Sequence, residues 1–171
     1  MSTEHPFYST STVDDDHVAA MLEDVVHAVQ ADPDALPASV TPEIAVAFTR
    51  SYYSEAVPED VVARSVDDLA GIARGHLATG VTRVPGAATV SARSTSMARA
   101  AVDIIADDIP FLVDSVTGEI LRRGYTVRFL VHPVLDVDRD RTGRLTDVLA
   151  RSDTATAPES WIHLDLSLIH I

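Results

Sequence analysis

The 171-residue chain carries 26 acidic and 13 basic residues, a formal net charge of −13, and no cysteine. That charge repels nucleic-acid backbones and anionic lipid surfaces, and the missing thiols exclude disulfides, thiolate metal sites and cysteine nucleophiles. All the basic residues are arginine, so chemistry that relies on a neutral lysine amine, as base or Schiff base, is excluded as well.

Asp14, Asp15 and Asp16 open a stretch in which Val18, Met21, Leu22, Val25, Val26 and Val29 recur at helical spacing, with acids at the positive end of the helix dipole. Asp32-Pro33 ends it. Thr41, Pro42 and Glu43 supply an N-cap, a first-turn proline and an acid for a second helix. Ile44, Phe48 and Tyr52 share one face of it, and it stops before Pro58. Ser65, Val66, Asp67 and Asp68 resemble a third start, followed by Leu69, Ile72, Ala73, His76 and Leu77 on an apolar face and by Gly80 as terminator. No internal repeat is visible.

The pattern changes after Pro85-Gly86. Residues 89–92 and 100–106 read as strands separated by a polar loop over 93–99. Asp107, Asp108, Ile109 and Pro110 form a turn that launches a helix over about 111–123, with Phe111, Val116 and Ile120 expected inward and Gly124 at its stop. Residues 125–137 are rich in β-branched and aromatic side chains, with His132-Pro133 expected to bend the strand or place it at an edge. A charged turn over 138–143, a short strand or helical turn over 145–149, a polar loop over 152–159 and a strand over 160–166 complete the reading. Strand, helix, strand, turn, strand is the first half of a ferredoxin-like βαββαβ unit. Without the second helix and fourth strand, part of one sheet face is expected to lie uncovered and an extra strand edge to lie unpaired.

The block Asp107, Asp108, Ile109, Pro110, Phe111, Leu112, Val113, Asp114, Ser115 and Val116 resembles a signature of the large, bacterial-type NAD-specific glutamate dehydrogenases. The likeness continues through Gly124 to Val131, His132, Pro133 and Val134, and resumes at Glu159, Ser160, Trp161, Ile162, His163 and Leu164. Upstream, Tyr52-Tyr53, Val57 to Asp60 and Arg64-Ser65 look like that family's amino-terminal helical segment. The resemblance covers most of residues 50–166. It implies an α+β fold: an N-terminal helical segment followed by a truncated ferredoxin-like, ACT-like βαββ unit. The expected division is 1–40, an extension with one helix; 41–86, a helical segment; 87–166, an ACT-like domain incomplete at its C-terminus; and 167–171, an atypical and non-native tail.

The resemblance also implies membership in an enzyme that oxidises L-glutamate to 2-oxoglutarate and ammonium with NAD, its catalytic core lying far toward the carboxyl terminus. No catalytic residue and no cofactor-binding residue is expected here. The family's substrate lysines have no counterpart in a lysine-free chain, and none of the seven glycines forms G-x-G-x-x-G. In ACT domains the strand-to-helix turn presents backbone amides that suit a ligand carboxylate. Asp107, Asp108, Ile109, Pro110, Phe111 and Leu112 are therefore the candidate effector-binding residues. Phe111 stands where a glycine is common, and the plainer alternative is that Asp107 and Asp108 cap the helix.

Other constellations carry less. The seven histidines show no zinc-ligand spacing, although His163 sits near Asp165. Asp114, Ser115 and His132 lack a nucleophile elbow. Asp136, Asp138 and Asp140 lack the glycine and distal glutamate of a calcium loop. No metal is expected. The expected partners are the remainder of the same polypeptide, a second copy in a homo-oligomer and an amino-acid effector, with neither nucleic acid nor membrane. Residues 1–12 lack a secretory pattern, and no apolar run nears the roughly 18 residues that span a bilayer, which points to the cytoplasm. The runner-up reading is a stand-alone ACT-type amino-acid sensor without enzymatic activity.

Overall fold

The computed structural model of the chain describes residues 13–149 and 158–168. Most of the loop expected over 152–159, and the end of the tail, lie outside them.

Helix α1 (Asp15–Ala31) starts on Asp14, whose side chain accepts the Asp16 amide, and ends at Asp32-Pro33. Helix α2 (Pro42–Tyr53) starts on Thr41, whose Oγ1 accepts the Ile44 amide at 3.4 Å. Helix α4 (Val66–Gly80) starts on Ser65, whose hydroxyl accepts the Asp68 amide at 3.1 Å. These starts are the ones the capping residues predict, because a cap is a local exchange of one side-chain acceptor for one orphan amide. Between α2 and α4 lies α3 (Pro58–Val62), which at five residues is too short to display a hydrophobic period.

The rest is one antiparallel sheet with a helix, so the fold is α+β with an ACT-like unit. Its strands are β1 (Thr89–Ser96), β2 (Arg99–Asp107), β3 (Tyr125–Val131), β4 (Val134–Arg139), β5 (Leu145–Leu149) and β6 (Glu159–Leu168). Helix α5 (Leu112–Arg122) joins β2 to β3. The order is β1-β2-β6-β4-β5, with β3 also paired to β6. Strands β3 and β4 follow one path along β6, from Tyr125 opposite Leu168 to Leu135 opposite Glu159. His132-Pro133 bends that path, and the Pro133 carbonyl still accepts the Trp161 amide at 3.0 Å.

Three expectations are corrected. Residues 93–99 are not a loop: β1 runs through Ser94, opposite Ala100, to Ser96, opposite Arg99. Its outer half shows no apolar alternation because its side chains are exposed. Strand β1 lies along the side of β2 away from β6, so the edge expected to be unpaired is paired. Phe111 does not face inward. It precedes the first helical turn with φ 63°, and this left-handed backbone turns its ring out to 78% exposure.

Alternation along β6 sorts the core into two faces. Trp161 packs with Phe48, Tyr52, Leu69, Leu77 and Ile105 beneath α1–α4. Ile162, Leu164 and Leu166 pack on the other side against Leu112, Val113, Val116 and Ile120 of α5. Gly80 fixes the approach of α4 to the sheet, since a Cβ there would meet the Trp161 ring at 2.1 Å.

Candidate functional site

Five of the six candidate residues of the β2–α5 turn, Asp108 to Leu112, line a hollow of about 360 Å³ together with Asp114 and His132, and Asp107 lies outside it. Neither Asp107 nor Asp108 caps α5. Phe111 occupies the cap position with no side-chain cap bond. Asp107 pairs instead with the buried Arg83, whose Nη1 also donates to Glu159 at 2.7 Å and whose Nε donates to the Ala87 carbonyl at 3.0 Å. The Arg83 hydrogen bond holds the Asp107 carboxyl below its ordinary value. Arg139 clamps the same Glu159 from the other side, at 2.7 and 2.8 Å, and also donates to the carbonyls of Gly80 and Gly143. Asp108 accepts the Ser160 hydroxyl at 2.5 Å, and its amide donates to the Pro158 carbonyl at 3.0 Å. Both carboxylates are therefore bound to β6 or to a residue that holds β6, and the turn is pinned to the sheet.

Beside the exposed Asp108 and Asp114, the turn leaves apolar and amide groups outward. Ile109 is 55% exposed. Pro110 and Phe111 are exposed, and only Leu112 is half-buried in the α5 core. The first-turn amides of α5 have no intrahelical acceptor, as in any helix. These groups suit an anion or an apolar neighbour better than a cation.

A second cluster ties the helices to the sheet. Buried Asp103 on β2 holds His163 on β6 through Nδ1 at 2.5 Å and pairs with Arg93 on β1. His163 Nε2 lies 3.4 Å from Asp165, an ion-pair contact without hydrogen-bond geometry. Asp165 in turn accepts from Arg64 at 2.5 Å. Burial opposes a charged imidazole at His163, but the hydrogen bond to Asp103 and the nearby Asp165 carboxylate outweigh it and its pKa is raised. Burial also works against the charged Asp103, and the His163 hydrogen bond outweighs it, so this carboxyl is lowered. His76, on α4, shares a 2.8 Å hydrogen bond with the Tyr52 hydroxyl, and burial pushes its pKa down to about 3. Burial thus favours the neutral form of one histidine of this neighbouring pair, and the carboxylates favour the charged form of the other. The hint in the sequence was Asp103 inside an apolar strand and Asp165 two residues from His163. The separation of Asp103 and His163 by 60 positions hides their pairing.

The other constellations do not assemble. Asp114 and Ser115 are exposed on α5, and His132 lies 3.4 Å from Ser160 instead of Ser115. Ser160 spends its proton on Asp108, so His132 is not placed as a base between serine and carboxylate. Asp140 closes its own turn by accepting from Thr142 and Arg144. Among the described residues, no three histidine or acidic side chains converge as metal ligands, and no helix is long and apolar enough to cross a membrane.

A family model described as "Glutamate dehydrogenase, ACT1 domain" matches residues 48–170. The chain is similar to the NAD-specific glutamate dehydrogenase of Pseudomonas aeruginosa, with 38% identity over 68 residues that make up 39% of this chain and 4% of that protein. It is likewise similar to the NAD-specific glutamate dehydrogenase of Halomonas elongata, with 44% identity over 59 residues, 34% of this chain and 4% of that protein. The matched stretch spans only a small part of the length of these relatives. No solved structure matches the chain.

Proposed function

The chain belongs to the glutamate dehydrogenase ACT1-domain family, and from that premise we propose that it is the amino-terminal regulatory or architectural part of a NAD-dependent glutamate dehydrogenase. The whole enzyme would convert L-glutamate and NAD to 2-oxoglutarate, ammonium and NADH, with its catalytic core outside these residues. The observation that carries the reading is the family match, which covers α4, the whole sheet and α5.

The chemistry of the chain supports leaving catalysis elsewhere. No lysine is present to hold the substrate carboxylate or activate water. The β2–α5 turn is the strand-to-helix step among the described elements, where a dinucleotide would place its pyrophosphate. It holds two carboxylates and Phe111 in place of glycines, so it does not fit NAD. Purified alone, the 171-residue chain should show no glutamate-dependent formation of NADH by absorbance. Turnover that follows the purified chain overturns the assignment.

In this reading the β2–α5 turn offers its first-turn amides to the carboxylate of an amino-acid effector, or its exposed Ile109 and Phe111 to a neighbouring part of the enzyme. Asp108→Ala tests the effector arm. Loss of the Ser160 partner should cost about 1–3 kcal/mol and loosen the turn, weakening amino-acid binding by the whole enzyme. Affinity by calorimetry and stability by thermal melt must be read together. An unchanged affinity beside a lowered melt leaves the turn a purely structural joint.

A further inference from the structure

We propose that the cleft between the α3–α4 junction and the end of the sheet formed by the β1–β2 hairpin is a binding site for a small dicarboxylate. This cleft encloses about 710 Å³, within the range of small-molecule pockets. It lies outside the β2–α5 turn, and the inference does not depend on the enzyme assignment.

Three arginines line it, in two different states. Arg64 is committed: its guanidinium donates to Asp68 at 2.7 Å and Asp165 at 2.5 Å, and it lies over the Phe129 ring at 4.0 Å. The side chains of Arg99 and Arg128 are exposed and make no hydrogen bond or ion pair with any described residue. A guanidinium stays charged and presents a planar fork that matches a carboxylate in bidentate fashion. Two uncommitted forks on different strands, β2 and β3, suit two separate anionic groups better than one compact anion.

The sheet is deformed at this place. Pairing slips between Val127 and Phe129 on β3, and between Ser94 and Ser96 on β1, leaving Arg128 and Thr95 as the extra residues. Bulges re-aim side chains, and both extra residues, Arg128 and Thr95, are among those that line the cleft. The opposite wall sets the upper limit of charge. Asp60, Asp68 and Asp165 also line the cleft and disfavour a polyphosphate. Asp68 and Asp165 are answered by Arg64, whereas Asp60 has no charged partner among the described residues and can receive the ammonium group of an acidic amino acid.

Calorimetric titration of the 171-residue chain with succinate, L-glutamate, butyrate and pyrophosphate tests the proposal. Saturable binding of succinate or L-glutamate is expected, with tighter L-glutamate assigning a role to Asp60. Butyrate and pyrophosphate should bind roughly tenfold more weakly or worse, since losing a hydrogen bond to a charged group costs about that much. Arg99→Gln and Arg128→Gln should each weaken dicarboxylate binding roughly tenfold. Both side chains are exposed, so thermal melts should not move, and amide shifts of Thr95 and Ser96 on titration provide a readout independent of the variants. The proposal is overturned by the absence of saturable binding of either dicarboxylate, by butyrate or pyrophosphate binding as tightly, or by unchanged affinity in the double variant.

Discussion

Trp161, His163, Asp103 and Ile105 on the sheet face beneath α1–α4 are shut off from solvent, whereas on the α5 face only the central strand β6 is, at Ile162 and Leu164: Val102, Ile104 and Val127 are half-buried and Val90 is 61% exposed. Both faces are built on the same strands, so strand propensity cannot explain the difference. What differs is the cover: four helices on one side, and on the other α5 alone, which has no fully buried residue. The closed face can hold Asp103 and His163 because its geometry is fixed well enough to pair them. The hydrophobic cluster of the open face is aliphatic apart from Tyr125.

Substitutions should separate the faces, beginning with the largest effect. Trp161→Ala removes the ring on which Gly80, Phe48 and His76 rest, and should cost about 3–5 kcal/mol in denaturant unfolding. If it costs no more than a change on the α5 face, the two faces are equivalent and the comparison fails.

Asp103→Asn comes next, at roughly 3 kcal/mol, the low end for removing one partner of a buried ion pair. It should also change how stability depends on pH. His163, raised above 6.5, contributes stability that is full below that value and is lost as pH rises through its raised pKa. Asp103 and Asp165, lowered from 3.8, contribute stability that is full above that value and is lost as pH falls through their lowered pKa values. The cluster, with Arg93, Arg64, neutral His76 and Tyr52 around it, is therefore strongest between the two limits. The variant should flatten the alkaline decline seen in urea titrations of the parent chain, because His163 then loses its main reason to stay charged. A decline of unchanged slope would assign the alkaline loss to another group.

Ile120→Ala should have the smallest effect, about 1–2 kcal/mol, below the range for a fully buried isoleucine because Ile120 is only half-buried. Its pH profile should keep the parent shape, since no buried ion pair lies on that face among the described residues. A changed profile would couple α5 to the Asp103 cluster through the sheet.

Signals that reach only a few residues were legible without the structure. Asp14, Thr41 and Ser65 announced α1, α2 and α4 because a cap bonds an amide two or three residues away. His132-Pro133 announced the bend between β3 and β4 because proline fixes its own dihedral and removes its donor. The run from Asp107 to Leu112 marked the right turn, and its two carboxylates marked its chemistry only in part. Helix periodicity extended one residue too far put Phe111 inside, and the capping pattern assigned to Asp107 and Asp108 a bond that neither makes.

The sequence by itself thus determined where α1, α2 and α4 begin, which turn joins β2 to α5, that lysine and thiol chemistry are absent, and which family the chain resembles. Tertiary structure alone decided that β1 closes the outer side of β2, that Asp107 answers Arg83 and Asp108 answers Ser160, and that Asp103, His163 and Asp165 form one cluster. It also decided that the two bulged residues, Arg128 and Thr95, line the same cleft. The reason is the range of the forces. Caps and periodicities are set by neighbours three or four residues away, whereas strand register and the partner of a buried charge are chosen between segments dozens of residues apart. That choice is made by whichever pairing lets both faces bury apolar surface while leaving no charge alone.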